Sequence, residues 1–200
     1  MLIRELAATI HQNAVDHGWW DEECELPELS ALIHSEWSEG LEEDRNGRPF
    51  VYKLGVDDDA VAFITPDNPK YTLLFTKPEG IAVELIDGCI RILDVLGFEG
   101  ASIINRETGE PSNIEDLLGA AASQEELPKD VPTLVAWLHA FTSQALFDWE
   151  DGNKAPEDDL VAAMSLALTW VQMQGIDPLA LLLEKHEYNK GRPYKHGKKF

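Results

Sequence analysis

The chain has 200 residues, a length that fits one domain or two small ones packed as a unit. It contains 37 acidic and 16 basic residues, and the formal charge of −21 excludes general electrostatic binding to nucleic acid or to an anionic membrane. A hydrophobic content of 44%, with six Trp and seven Phe, is enough for a packed core and excludes a disordered acidic chain.

Two amphipathic helices are predicted at the start of the chain. Apolar residues at steps of three and four predict a helix from Leu2 to about His17, ended by Gly18. Pro27 begins a second helix, which runs to Asn46-Gly47. The segment 50–76 is rich in β-forming residues broken by turn formers, which predicts a small antiparallel β excursion.

The third predicted helix is strongly apolar. Pro78-Glu79-Gly80 begins it, it covers Ile81 to Leu96, and Gly97 is expected to end it. Residues 99–130 are less regular, with a short helix expected from Ile114 to Ala122.

Three more helices are predicted in the second half of the chain. They cover Pro132 to Trp149, Pro156 to about Gln174 with Gly175 as the stop, and Pro178 to about Tyr188. A basic tail from Asn189 to Phe200 follows. The expected fold is therefore all-α with a small β-hairpin insertion.

The predicted location is cytoplasmic. The first 17 residues are amphipathic rather than an apolar signal core, and no apolar run reaches the ~18 residues of a membrane helix. Cys24 and Cys89 are too few for a disulfide framework and lack the spacing of a zinc site, so reduced thiols are expected.

The polar residues of the third helix lie on one narrow stripe. Glu84, Asp87, Arg91 and Asp94 follow steps of three, four and three on an otherwise apolar helix. A helix that is apolar over most of its circumference is buried, so these side chains are expected to face something specific.

The second helix carries Glu36 and Glu39 at the same three-residue spacing. If the second and third helices pack together, four carboxylates converge, and their repulsion requires a cation. Oxygen ligands favour Mg²⁺, with Mn²⁺ as an alternative, over zinc. Two ordinary solvated helix faces are the competing interpretation.

Three segments in fixed order form a recognisable pattern. The first segment is Asn13 to Trp20. The second consists of the pair Glu36-x-x-Glu39 and, further along the chain, the stretch from Pro78 to Asp94, which contains Glu84-x-x-Asp87. The third is Glu184 to Gly197. This pattern resembles the MazG-like all-α nucleoside triphosphate pyrophosphohydrolases, and the last segment is similar to that family's closing Lys-Asn-Lys-Arg-Pro segment. The resemblance covers residues 1–97 and 176–200 and implies a four-helix-type bundle.

The resemblance also implies an activity. In that family the two acidic pairs hold magnesium, and a metal-activated water attacks the triphosphate to give a nucleoside monophosphate and pyrophosphate. It implies Mg²⁺ as cofactor, a ribo- or deoxynucleoside triphosphate as substrate, and catalytic, metal-binding roles for Glu36, Glu39, Glu84 and Asp87. It further implies substrate-binding roles for Lys185, Asn189, Lys190, Arg192 and Tyr194. A solubilising tail is the alternative for this last group.

One departure from the family concerns the first acidic pair. Many members have a further Glu immediately before it, where this chain has Ser35. The number of metal ions and the identity of the water-activating base therefore stay open.

The middle of the chain resembles the first half. Aligning Pro27 with Pro132, and Pro78 with Pro156, also pairs His34 with His139. In these alignments the positions of the four acids are occupied in the second half by Phe141, Gln144, Ala162 and Ser165. This predicts a tandem, pseudo-dimeric arrangement packed as one unit. Residues 1–98 would form the module that carries the acids, and residues 99–176 a degenerate copy. Residues 177–200 would form a short helix and a basic phosphate-binding tail. The protein would be a monomeric pseudo-dimer or a homodimer. Chance similarity between amphipathic helices is the alternative.

Two other functions stay open. A phosphoribosyl-ATP pyrophosphohydrolase shares the helical fold and the acidic motif, and a non-catalytic interaction protein could bind a nucleotide or metal without turnover. A di-iron carboxylate bundle is disfavoured because neither acidic pair contains Glu-x-x-His. Trp19 and Trp20 could stack on a base or belong to the core.

Overall fold

The computed structural model describes residues 1–22, 24–57, 60–64, 77–105, 108–118, 127–151 and 156–197. These residues are mostly helical, which confirms the all-α expectation. The helices are α1 (Ile3–Asp16), α2 (Leu26–Arg45), α3 (Ile81–Phe98), α4 (Val131–Asp151), α5 (Pro156–Met173) and α6 (Pro178–Lys190). Short 3-10 helices cover Ile114–Leu117 and Tyr194–Gly197.

The small sheet lies between α2 and α3 in the chain. It contains β1 (Tyr52–Asp57), β2 (Ala60–Ile64) and β3 (Pro78–Glu79), in the order β2-β1-β3 with antiparallel pairing. The predicted antiparallel excursion is confirmed for this part, whereas residues 58–59 and 65–76 lie outside the described residues. The expectation that Pro78–Glu79 begins the third helix is wrong, because both residues pair with β1.

Helix α3 is the centre of the molecule. It contacts α1, α2, α5 and α6, while α4 contacts α2 and α5. Helices α2, α3, α5 and α4 therefore form a closed ring of neighbours around a shared core. The residues 81–86 are all buried, Glu84 among them, as the apolar circumference of this helix predicts. The thiol of Cys89 lies in the same core.

Helices α2 and α4 meet through two polar side-chain contacts. The Nδ1 atoms of His34 and His139 lie 2.7 Å apart. One turn along, Nε1 of Trp37 donates a hydrogen bond of 3.0 Å to Oγ1 of Thr142, and this pair is buried. The residues of each pair are 105 positions apart.

Two glycines of α3 allow neighbouring helices to approach closely. A Cβ atom at Gly88 would lie 2.2 Å from the ring of Trp37 on α2. A Cβ atom at Gly97 would lie 2.5 Å from the backbone oxygen of Ala7 on α1. The expectation that Gly97 ends the third helix is wrong, because α3 continues to Phe98 and this glycine provides space for α1.

Two further segments differ from the sequence-based expectation. Helix α6 continues to Lys190, two residues beyond Tyr188, so Asn189 belongs to the helix rather than to the basic tail. The helix expected from Ile114 to Ala122 is a 3-10 helix that ends at Leu117. Residues 119–122 of that expectation lie outside the described residues.

Within the described part of the chain, no single helix has both the length and the apolar content needed to cross a membrane. Helices α5 and α6 meet those criteria only as a pair, which is bent by 110°.

Candidate metal centre

Three of the four predicted acidic ligands come together between α2 and α3. Glu36, Glu39 and Glu84 each place one carboxylate oxygen within 4.8 Å of the other two. The three-residue spacing of the first two puts them on one face of α2. The Cβ of Glu84 lies 3.7 Å from the position that a Cβ would take at Gly40, so α2 and α3 are close at this point.

The fourth predicted acid, Asp87, lies one turn further along α3 and lines the same cavity. Its Oδ2 atom is 2.7 Å from Nζ of Lys185 on α6. The lysine side chain is 0% exposed, and its ammonium group also donates to the backbone oxygen of Pro78 at 3.4 Å. The structure therefore places Lys185 beside Asp87, and the described residues that line the cavity do not include this lysine.

Burial dominates the electrostatics of these carboxylates. Glu84 is 4% exposed, and the positive charges of Lys185 and Lys77 act on it electrostatically. Burial raises the pKa of Glu84 to about 8, and the negative charge of Asp87 adds to the shift. Glu84 therefore keeps its proton to a higher pH than an ordinary glutamate does.

Glu36 differs from Glu84 because it has a basic partner. Burial raises the pKa of Glu36, and the guanidinium of Arg91 opposes that shift. Nε of Arg91 lies 3.1 Å from Oε1 of Glu36. The same guanidinium lies over the ring of Trp19, 5.1 Å from its centroid, which is a cation–π geometry.

The four acids line a cavity of about 110 Å³ together with basic and amide groups. Asn189 and Arg192, both predicted from the carboxy-terminal segment, lie in this lining. Asn189 is 8% exposed, and its Oδ1 atom has no hydrogen-bond partner among the described residues. Acids from α2 and α3 thus share one cavity with donors from the end of the chain.

The other two predicted substrate-binding residues lie elsewhere. Nζ of Lys190 is 2.7 Å from a carboxylate oxygen of Glu187, and the lysine faces a surface depression beside α1. The hydroxyl of Tyr194 donates to Asp21, and the ring of this tyrosine covers Gly18. Neither side chain is among the described residues that line the cavity.

Three charged residues of the cavity wall have no catalytic or binding role assigned from the sequence. They are Lys77, Arg91 and Asp94. The polar stripe of α3 contains Arg91 and Asp94, so that pattern is the signal for both. Lys77 lies just before β3, with Nζ at 2.8 Å from Oε1 of Glu79, and no local pattern in the sequence indicates it.

A second, more aromatic cavity of about 70 Å³ adjoins the first. The two cavities share Trp19, Arg91 and Asp94 in their walls. Oδ1 of Asp94 accepts a hydrogen bond of 3.0 Å from Nε1 of Trp20 and lies 2.8 Å from Nδ1 of His11. Trp20 is half-buried and stacks on Phe98 at 4.3 Å, so the tryptophan pair lies at the cavity wall rather than in the core.

The chain matches no family model, and comparisons with curated proteins and with solved structures give no significant match. The similarity to the MazG-like family therefore rests on the three segments quoted above, and the function has to be argued from the site.

Proposed function

We propose that the protein hydrolyses ribo- or deoxynucleoside triphosphates to the monophosphate and pyrophosphate in a magnesium-dependent reaction. One observation carries the proposal. Three carboxylates from two helices converge within 4.8 Å in a cavity that also contains Lys77, Arg91, Asn189 and Arg192. Such a cavity combines ligands for a hard cation with donors for phosphate oxygens.

The donor set fits Mg²⁺. Ligand oxygens lie at about 2.1 Å from Mg²⁺, so two oxygens on opposite sides of the ion are about 4.2 Å apart. The carboxylate oxygens of Glu36, Glu39 and Glu84 lie within 4.8 Å of one another, so small side-chain movements bring them to that separation. A bound Mg²⁺ would neutralise phosphate charge and lower the pKa of a coordinated water.

The side chains around the acids have separate tasks in this proposal. The guanidinium of Arg192 and the amide of Asn189 donate to phosphate oxygens, and Lys77 supplies a further positive charge. Arg91 contacts Glu36 and the ring of Trp19 in the metal-free protein. Glu84 would give up its proton when a cation binds, because the positive charge favours the ionised carboxylate and offsets the effect of burial on its pKa.

The nucleoside part of the substrate would lie in the adjoining aromatic cavity. Its wall is continuous with that of the acidic cavity through Trp19, Arg91 and Asp94. Indole rings offer flat apolar surfaces for a base, so a triphosphate bound to the acids would extend its base towards Trp19 and Trp20. The preferred base and sugar are determined by the comparison of substrates described below.

The tandem arrangement belongs to the same proposal. In a molecule with an internal two-fold repeat, residues near the axis contact their own counterparts. The alignment of Pro27 with Pro132 has an offset of 105, and the contacts His34 with His139 and Trp37 with Thr142 have the same offset. These two contacts support α4 and α5 as a second copy that has lost the acids and supplies packing.

Pyrophosphate release from a panel of ribo- and deoxynucleoside triphosphates, with and without Mg²⁺, tests the function. The parent chain is expected to release pyrophosphate only with Mg²⁺, and Glu84→Gln is expected to abolish it. Glu42→Gln, an exposed acid on α2, is the matched control and is expected to keep parental activity. The panel also contains phosphoribosyl-ATP.

The outcomes separate the candidate functions. Release from phosphoribosyl-ATP alone would replace the proposed substrate class. No release from any compound, with a folded protein, would contradict the hydrolase proposal and favour a nucleotide-binding or metal-binding role.

A further inference from the structure

The ammonium group of Lys185 occupies a position beside Asp87 that a metal ion bound to this carboxylate would need. Its Nζ atom is 2.7 Å from Oδ2 of Asp87, and its side chain is 0% exposed. The backbone oxygen of Pro78, at 3.4 Å, holds the ammonium from another side. An ammonium held in this way already satisfies the carboxylate, so Asp87 has little need of a metal ion.

The charges of the four acids divide into two classes. Glu36 and Asp87 each face a basic side chain, Arg91 at 3.1 Å and Lys185 at 2.7 Å. Among the described residues no basic group lies within ion-pair distance of Glu39 or Glu84, although the more distant charges of Lys185 and Lys77 act on Glu84. These two acids carry two negative charges when ionised, which is the charge of one divalent cation.

We propose that the site binds a single divalent cation through Glu36, Glu39 and Glu84, and that Lys185 is the permanent counter-cation of Asp87. The inference rests on the proposed function, since it specifies the metal site of the same cavity. It assigns Lys185 to the acid rather than to a phosphate. It also bears on the number of metal ions, which Ser35 left open. This chain has a serine where many MazG-like proteins have a further glutamate, and a smaller set of acidic ligands is consistent with a single ion.

The two basic partners differ in their freedom to move. The side chain of Arg91 is 22% exposed and lines the cavity, so it can exchange Glu36 for another anion when a cation binds. Lys185 is fully buried while Asp87 is 16% exposed, so separating the two would leave the buried ammonium without its ion-pair partner. Leaving a buried ammonium without its carboxylate is strongly destabilising. The pair of Asp87 and Lys185 therefore stays intact during metal binding.

An independent observation shows that the cavity is built for a ligand. Glu84 is 4% exposed, lines the cavity and accepts no hydrogen bond from the described residues. The buried Oδ1 atom of Asn189, which lines the same cavity, also has no hydrogen-bond partner among the described residues. Buried polar groups in folded proteins are nearly always paired, so both groups indicate a bound species.

The test counts bound Mn²⁺, which replaces Mg²⁺ and can be followed by electron paramagnetic resonance and calorimetry without any turnover. One ion per chain is expected for the parent. Glu84→Gln should weaken binding by at least about tenfold, since it removes a ligand. Glu42→Gln should bind like the parent.

The decisive variant removes Asp87 and Lys185 together. Asp87→Asn combined with Lys185→Met leaves the net charge of the site unchanged, and replacing both members of a buried pair is often tolerated. The double variant should bind one Mn²⁺ with an affinity within about threefold of the parent, because neither residue is a ligand. Circular dichroism checks that it is folded.

Several results would overturn the inference. They are two Mn²⁺ ions per parent chain, no Mn²⁺ binding by the parent, or loss of binding in the folded double variant. The ion count of the parent decides the matter even if the double variant does not fold. One bound Mn²⁺ without pyrophosphate release would contradict the proposed function and leave this inference standing.

Discussion

The helix pair α2 and α3 and the helix pair α4 and α5 have similar lengths and lie side by side in one ring of helices, yet they bury different side chains. The first pair surrounds a cavity with carboxylates, of which Glu84 is 4% exposed. At the matching positions of the second pair lie Phe141, Gln144, Ala162 and Ser165. The same helical frame therefore supports either an acidic cavity or ordinary packing, and the side chains at a few positions decide which.

The difference also extends to the helix backbone. Gly88 of α3 lets the ring of Trp37 lie against the helix, whereas the aligned residue of α5 is Leu166. A close approach of α2 is what brings Glu36 and Glu39 to Glu84. The acidic pair is thus specialised in its packing as well as in its charges, and the predictions below test each part of that contrast.

The largest expected effect concerns catalysis. Glu39→Gln removes a proposed metal ligand from an exposed position, so pyrophosphate release should fall by at least about 100-fold while the fold is kept. Gln144→Ala at the matching position of α4 should change the rate by less than about threefold. Steady-state kinetics on both variants check this. Equal rates would remove the functional contrast between the two helix pairs.

The next effect concerns packing. Gly88→Ala places a Cβ atom 2.2 Å from the Trp37 ring, and we expect a loss of about 3 kcal/mol in the free energy of unfolding. Activity per folded molecule should fall as well, because α2 is displaced from the acids.

The matched change on α5 is Leu166→Ala, which should cost a similar amount, about 2 to 5 kcal/mol, by leaving a cavity. Its activity per folded molecule should stay parental. Urea unfolding and kinetics measure both quantities. Loss of activity in this variant alone would show that the second pair contributes more than packing.

A third prediction concerns pH. The pKa of Glu84 is about 8 in the folded protein, against a usual value of 4.5. At any pH between these two values the folded state therefore binds more protons than the unfolded state. Metal-free protein should therefore lose stability as the pH rises from about 5 to about 8. Mg²⁺ should stabilise the parent more at pH 8 than at pH 6, since binding requires the ionised carboxylate.

Glu84→Gln isolates this contribution from other groups with raised pKa values. The amide cannot ionise, so the variant should lose less stability than the parent over the same pH range. Melting temperatures in metal-free buffer provide the comparison. Identical pH profiles for the two proteins would contradict the assigned shift.

The smallest effect concerns the contact between the two helix pairs. Thr142→Val leaves the buried Nε1–H of Trp37 without an acceptor, and we expect a loss of about 1 to 2 kcal/mol. Thr142→Ser keeps the hydroxyl and should cost less. Neither variant should change the activity of the folded molecule, because Trp37 and Thr142 are not among the described residues that line the acidic cavity. Unfolding curves with activity assays decide.

The sequence predicts the elements of this fold that depend on local signals. Helices α1, α2 and α5 begin and end within about two residues of the predicted bounds, since apolar periodicity and terminal Pro or Gly residues act locally. The prediction for Gly97 is wrong because the role of this glycine depends on the backbone of α1, about ninety positions away in the chain. A close approach between distant segments leaves no local signature.

The candidate site is predictable to a similar extent. Three-residue spacing on two helices is enough to indicate Glu36, Glu39 and Glu84 as neighbours. The pairing of Asp87 with Lys185 joins helices that are far apart in sequence, so no spacing rule could find it. Lys190 lies away from the cavity because α6 extends further than predicted and turns this side chain towards Glu187.

The central claim is that the acids of α2 and α3 support magnesium-dependent cleavage of a triphosphate into monophosphate and pyrophosphate. Phosphorus-31 nuclear magnetic resonance of the reaction mixture, with parent protein, Mg²⁺ and the best triphosphate of the panel, tests it most directly. The account predicts pyrophosphate and nucleoside monophosphate in equal amounts, and no product with Glu84→Gln. Formation of nucleoside diphosphate and inorganic phosphate, or an unchanged triphosphate with folded parent protein, would contradict it.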